Sequence, residues 1–235
     1  MFKIPENPEE LVKLIDHTNV RAHATARDIE KLCEEAKKYG FFAVAVNPSW
    51  VELAVKLLKG TDIKVVTTAG FPLGSTLPEV KALEARKVVE QGASEIDMSI
   101  NVGALKSGMY ELVEEDIKAV VEAAKEGGAI VKAIIECCYL TDNEKKKACE
   151  IAVKAGVTFI KTSTGYGTYG ATVEDVKLIK SVIPPNIGIK AAGGIRTFKQ
   201  TMDLIRAGAT RIGTSTSVAI IEEAYKAFKE GLWPV

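Results

Sequence analysis

Two lysines stand inside apolar, β-branched runs: Lys161 in Phe159-Ile160-Lys161-Thr162-Ser163-Thr164-Gly165 and Lys190 in Ile187-Gly188-Ile189-Lys190-Ala191-Ala192-Gly193-Gly194. An ammonium in such a run is costly unless it is paired or gives up its proton. A single lysine of this kind reads most simply as turned outward beneath a helix, or as paired with an acid. Two of them, each just ahead of a Gly-rich turn, point to chemistry. Acids occupy comparable places, Asp16 in Leu14-Ile15-Asp16-His17-Thr18 and Asp97 in Glu95-Ile96-Asp97-Met98.

The chemistry that would want two lysines is amine attack on a carbonyl. An amine is a nucleophile only when neutral, and a lysine of pKa ~10.4 is almost wholly charged at neutral pH. A second ammonium ~5 Å away, at an effective dielectric of ~20, disfavours the charged form by roughly 3 kcal/mol. Neighbouring strands lie ~4.8 Å apart, so inward-facing lysines on two of them can meet that distance. Partial desolvation supplies the rest of the shift. One lysine then serves as nucleophile and the other as its activator, while Asp97 and Asp16 move protons.

These groups need a scaffold that brings distant strands together. Helical stretches ending in glycine precede apolar runs six times, as in KKYG-FFAVAV, VEQG-ASEIDMSIN, VKAG-VTFIKTST and IRAG-ATRIGTS. Glycine there supplies the left-handed helix cap. Capping boxes are expected at Thr76 with Glu79, Thr141 with Glu144, and Thr197 with Gln200. Strands are expected at 14–18, 41–46, 63–69, 95–101, 130–136, 159–163, 187–191 and 211–214. Eight βα units predict a (β/α)8 TIM barrel with a short extra N-terminal helix near residues 6–13. A doubly wound open sheet is the alternative. No Pro/Gly-rich linker breaks the series, so residues 1–235 read as one domain.

Composition narrows the partners. With 31 basic and 31 acidic side chains the net charge is zero, which gives no electrostatic reason to expect nucleic acid or an anionic membrane. Two histidines, His17 and His23, and four cysteines without metal-site spacing do not suggest a metal centre. The N-terminus lacks signal-peptide features, and no apolar run approaches the ~20 residues of a membrane span. A reduced, cytoplasmic setting is expected.

Barrels carry their chemistry at the C-terminal ends of the strands, often with a phosphate site in the last two loops. Both of those loops are glycine-rich here, Gly193-Gly194-Ile195-Arg196 and Gly213-Thr214-Ser215. Backbone N–H groups and helix N-termini there predict a small phosphorylated metabolite as ligand. Gly165-Tyr166-Gly167-Thr168-Tyr169-Gly170 matches a dinucleotide fingerprint in letters only. Its helix starts after the last glycine, at Thr172, and the position where an acid is wanted holds Lys190. A mobile loop over the site is the better expectation.

Lys161-Thr162-Ser163-Thr164-Gly165 and Lys190-Ala191-Ala192-Gly193-Gly194-Ile195-Arg196 resemble the 2-deoxyribose-5-phosphate aldolase family. Ile15-Asp16-His17-Thr18, Glu95-Ile96-Asp97-Met98 and Gly213-Thr214-Ser215 match in the same order, so the resemblance spans nearly the whole chain. It implies a cofactor-free, metal-free class I aldolase that cleaves 2-deoxy-D-ribose 5-phosphate to D-glyceraldehyde 3-phosphate and acetaldehyde. It implies Lys161 as the Schiff-base residue, Lys190 as the group that lowers its pKa, Asp97 as the proton relay and Asp16 as part of the relay or hydroxyl-binding network. Thr164, Gly165, Gly193, Gly194, Ile195, Arg196, Gly213, Thr214 and Ser215 would bind substrate or its phosphate. A homodimer or homotetramer is implied as well. Another Schiff-base barrel aldolase, acting on a longer ketose phosphate, is the alternative. The sequence departs from the pattern at Tyr166, where many relatives carry Lys or Phe, and in its short ending at Trp233-Pro234-Val235.

Overall fold

Each helix-stop glycine hands the chain to a strand, and the strands close on one another. The computed structural model describes residues 3–234; Val235 and the first two residues lie outside it. A short helix α1 (Pro8–Val12) is capped by the Asn7 side chain, which accepts from Glu10 N at 2.8 Å. Eight parallel strands follow: β1 (Ile15–Asn19), β2 (Ala43–Val46), β3 (Lys64–Ala69), β4 (Glu95–Ser99), β5 (Ile130–Ile134), β6 (Phe159–Lys161), β7 (Gly188–Ala192) and β8 (Arg211–Thr214). They pair in chain order, and β1 pairs with β8, so the barrel is closed. The open-sheet alternative is thereby excluded.

The outer layer consists of α2 (Ala26–Tyr39), α3 (Val51–Leu57), α4 (Pro78–Glu90), α5 (Val102–Lys106), α6 (Tyr110–Glu126), α7 (Asp142–Lys154), α8 (Val173–Val182), α9 (Phe198–Ala207) and α10 (Ser217–Lys229). Capping boxes form at Thr141 with Glu144 and Thr197 with Gln200, and also at Thr25 with Asp28. The one expected at Thr76 with Glu79 does not. Pro78 presets the first helical φ, so Leu77 becomes the N-cap and Glu79 falls one place short of the position that could reach back. At the other end of α2, Gly40 takes φ 73°, a left-handed cap that a side chain would resist.

The main apolar core lies between the strands and the helices. Residues such as Ile96, Met98, Ile160, Ile189 and Ile212 face outward into it. Period-two alternation turns the intervening residues inward, and on several strands those are charged. Three strands stop two residues earlier than their apolar runs suggest. Bonds such as Ile135 N to Lys161 O and Thr162 N to Lys190 O continue singly past the ends of the ladder. Glu136, with φ 52°, is the described non-glycine residue with positive φ, and it turns β5 out of the sheet.

Candidate active site

The barrel interior holds a closed ring of charge. Lys190 Nζ lies 2.7 Å from Asp97 Oδ2 and 2.5 Å from Asp16 Oδ2. Asp16 is 2.9 Å from Arg211, which lies 3.1 Å from Glu95. Glu95 is 2.6 Å from Lys132, and Lys132 returns to Asp97 at 2.8 Å. The guanidinium of Arg211 stacks on Phe42, 3.7 Å from its ring centroid, and forms the floor. The six charged side chains of the ring are all buried. Three carboxylates face three cations around this ring, so it is balanced before Lys161 is counted.

Lys161 is the fourth cation. Its Nζ donates to Asp97 Oδ2 at 2.9 Å, the same oxygen that Lys190 uses. Burial lowers its pKa most; Asp97 pulls back up, Lys190 pushes down again, and the result is about 8. Lys190 moves the other way. Burial disfavours its charge, but Asp16 and Asp97 outweigh burial and raise its pKa. Burial also works against ionised Asp97, yet Lys132, Lys161 and Lys190 hold its carboxyl well below the usual range. For Asp16 the same contest is won by Lys190 and Arg211, and its pKa is lowered. One amine is therefore poised near neutrality among groups that keep their charge. The order of causes differs from the sequence expectation: desolvation leads, and the second lysine ranks behind Asp97.

Sequence reasoning missed Lys132, Glu95 and Arg211. Lys132 sits mid-strand, without a Gly-rich turn after it. A usable signal was the Glu95-Ile96-Asp97 spacing, which turns two carboxylates to one face of a strand and requires buried cations to meet them.

Above the ring opens a cavity of about 540 Å³. Asp97, Lys161 and Lys190 line it, with Thr164, Gly165, Gly193, Gly194, Ile195, Arg196, Gly213, Thr214 and Ser215 at its walls and rim. Asp16 does not line it and lies beneath, paired with Lys190. Among the described residues the N–H groups of Gly194, Ile195 and Ser215 have no protein acceptor, which leaves them available to an anion. The N–H of Arg196 is not available, because Gln200 Oε1 accepts it at 2.9 Å. Thr164 is also occupied. Its N–H lies 3.2 Å from Glu136 Oε1, its hydroxyl donates to the Glu136 carboxylate, and its oxygen accepts from Tyr166 N.

The glycines of the 165–170 loop serve contact with the neighbouring turn. A Cβ on Gly170 would stand 2.0 Å from Gly193 O, and one on Gly193 only 3.1 Å from Gly170 Cα. The loop crosses the mouth, where Tyr166 Oη donates to Val20 O at 2.8 Å, and Tyr169 Oη ties it to Cys137 O. The Tyr166 ring meets Phe71 edge-on, and Lys161 Nζ lies 5.9 Å from the Phe71 ring centroid. Among the described residues no group of three or more His, Cys, Asp or Glu could hold a metal ion, and no helix is long and apolar enough to cross a membrane.

Known proteins share this architecture. The deoxyribose-phosphate aldolase of Aciduliprofundum boonei is 61% identical over 213 residues, 91% of this chain and 96% of its own. That of a Geobacillus species is 58% identical over 212 residues, covering 90% and 95%. A tetrameric deoxyribose phosphate aldolase from Aeropyrum pernix superposes with a TM-score of 0.88 at 34% identity, over 96% of this chain and 94% of that one. The DeoC/LacD family aldolase profile matches residues 11–222. With most of its length covered by that profile and by relatives well above half identical, the chain belongs to the DeoC/LacD family of aldolases.

Proposed function

We propose that the protein is a Schiff-base aldolase that cleaves 2-deoxy-D-ribose 5-phosphate, reversibly, to D-glyceraldehyde 3-phosphate and acetaldehyde. The observation that carries this reading is Lys161, the cation in excess of a balanced ring, with a pKa of about 8 at the base of the cavity. Its neutral amine attacks C1 of the open-chain aldehyde, and loss of water from the carbinolamine gives an iminium. A base then takes the proton from the C3 hydroxyl. The C2–C3 bond breaks, its electron pair forms the enamine, and C3 leaves as the aldehyde of glyceraldehyde 3-phosphate. Protonation at C2 and hydrolysis release acetaldehyde and restore the amine. Asp97, ionised and 2.9 Å from Lys161 Nζ, is suited to accept and return protons, and Lys190 holds a proton that it can lend through the same carboxylate oxygen. No cofactor is required for these steps. The phosphate would rest on the N–H groups of Gly194, Ile195 and Ser215, close to the start of α10.

The longer-ketose alternative is not favoured, since relatives 58% and 61% identical to the chain carry the deoxyribose-phosphate name. The reading is tested by incubation with acetaldehyde and borohydride, then peptide mass spectrometry. One ethyl adduct is expected on a peptide containing Phe159 to Thr164, with or without a chelator. An adduct on Lys190 alone, or activity lost to EDTA and restored by zinc, would overturn it.

Two coarser attributes belong to the same proposal. Leu73, Leu77, Val80 and Leu83 expose an apolar stripe around the start of α4, which suits self-association. Light scattering should show an oligomer that Leu77→Glu with Leu83→Glu dissociates. Free, buried Cys33, Cys137 and Cys149 suit a reducing compartment such as the cytoplasm.

A further inference from the structure

His17 follows Asp16 on β1 but faces the opposite way, into the helical layer, where its ring packs 5.0 Å from that of Phe41. It is buried, and it joins two helices that are far apart in the chain. Its Nε2 lies 2.9 Å from Glu35 Oε2 on α2, and its Nδ1 lies 3.0 Å from Ser217 Oγ, the first residue of α10. Burial lowers the imidazole pKa, against the hydrogen bond and charge of Glu35, which favour the protonated ring. A neutral ring between a carboxylate and a hydroxyl has one consistent arrangement. Nε2–H donates to Glu35, and Nδ1 accepts from Ser217. The Ser217 hydroxyl has one proton to give, and Thr214 O at 3.0 Å is the alternative acceptor for it. Either acceptor belongs to β1 or to the turn that leads into α10.

That turn is the one whose Gly213, Thr214, Ser215 and Thr216 line the cavity. Thr214 Oγ1 donates to Ile195 O at 2.7 Å and accepts from Thr216 N, so the turn is also latched to the loop after β7. Of these anchors, the His17–Ser217 contact is the one that fixes the turn against the outer face of β1. None of the ion pairs around Lys161 involves His17.

We infer that His17 is a positioning residue for the phosphate end of the substrate, acting through Ser217 to hold the turn between β8 and α10. The inference rests on the proposed function, in which that turn helps to carry the phosphate. It requires that loss of His17 be felt at the phosphate and not at the reacting carbonyl.

The test compares His17→Ala, His17→Asn and His17→Gln with the unaltered protein. For His17→Ala, KM for 2-deoxyribose 5-phosphate should rise about tenfold, as expected for one buried hydrogen bond lost. Affinity for inorganic phosphate, followed by ³¹P NMR titration, should fall in parallel. The kcat for the sugar phosphate, kcat/KM for unphosphorylated 2-deoxyribose and the acetaldehyde adduct on Lys161 should stay within about twofold. Asn keeps an acceptor near the place of Nδ1 and should recover most of the loss. Gln keeps only a donor towards Glu35 and should not. Should His17→Ala fail to fold, Ser217→Ala should reproduce the rise in KM, and an unchanged KM there overturns the inference. Equal losses on both sugars, unchanged phosphate affinity, or rescue by Gln and not by Asn also overturn it. If the unaltered protein does not cleave the sugar phosphate, the proposed function fails; the phosphate titration still decides the role of His17.

Discussion

Lys161 and Lys190 are register partners on β6 and β7, and their amines meet at a single oxygen, Oδ2 of Asp97, at 2.9 and 2.7 Å. The same carboxylate thus restrains two amines whose pKa values move apart. Lys190 has a second carboxylate, Asp16, and Lys161 does not. This difference decides which lysine loses its proton first.

Removal of Lys190 should therefore convert Lys161 from a surplus cation into a needed one. Lys190→Leu is expected to raise the Lys161 pKa from about 8 by about two units, the equivalent of roughly 3 kcal/mol of lost repulsion. Borohydride trapping with acetaldehyde should be slow at pH 7 and recover towards pH 10. A loss that is equal at every pH would mean that Lys190 does not tune Lys161.

Stability should separate the lysines in the opposite sense. Lys132→Met leaves Glu95 and Asp97 short of a cation and should cost ~3–5 kcal/mol in urea unfolding, as when one partner of a buried pair is removed. Lys161→Met leaves the ring balanced, so it should abolish the adduct without loss of stability. Similar unfolding midpoints for the two variants would contradict the charge accounting.

A pH signature follows from the lowered Lys161 pKa. Between about pH 8 and ~10.4 the unfolded chain holds a proton that folded Lys161 has released, so stability rises with pH across that window. The contribution is about 3 kcal/mol, absent above the window and destabilising below it. Unfolding free energies of the unaltered protein and Lys161→Met, measured from pH 7 to 10.5, should converge or cross as pH rises. Parallel curves would show that Lys161 titrates normally.

Asp97→Asn keeps the shape of the relay but cannot accept a proton. We expect kcat to fall ~10²–10⁴-fold while the fold survives. Near-normal turnover would reduce Asp97 to a structural partner of the lysines.

Gly194 has φ 72° and open space where a Cβ would stand, so Gly194→Val meets backbone strain and no clash. Its KM for the sugar phosphate should rise far more than its KM for the unphosphorylated sugar. Equal effects would remove this loop from the phosphate site.

The barrel was legible because eight apolar strand runs recur, six of them behind a glycine stop, and each is a local signal. Lys161 and Lys190 were legible because they stand in apolar strands just ahead of glycine-rich turns, and Asp97 and Asp16 because they are acids inside apolar strands. The other half of the ring was not. Lys132 looks like any lysine in a short strand, and Arg211 follows a threonine at a strand start, where an exposed arginine is ordinary. Only closure of the barrel places them opposite Glu95. The spent donors of Thr164 and Arg196 were equally hidden, since Glu136 and Gln200 claim them through loop geometry. The glycine pattern at 165–170 departs from a nucleotide fingerprint in having its helix begin after the last glycine, at Val173. Its reason, backbone contact with Gly193, needed coordinates.

The balanced ring has a consequence beyond the first step. Under the proposed mechanism, an interior that disfavours a cation on Lys161 Nζ would disfavour the iminium formed there just as it disfavours the ammonium. The enamine is neutral, so passage from iminium to enamine relieves the same electrostatic excess that freed the amine. That passage coincides with carbon–carbon bond cleavage in one direction and with deprotonation of bound acetaldehyde in the other. On that proposal, one charge imbalance, set by six side chains that form no bond to the substrate, would make the nitrogen a good nucleophile when empty and a strong electron sink when loaded.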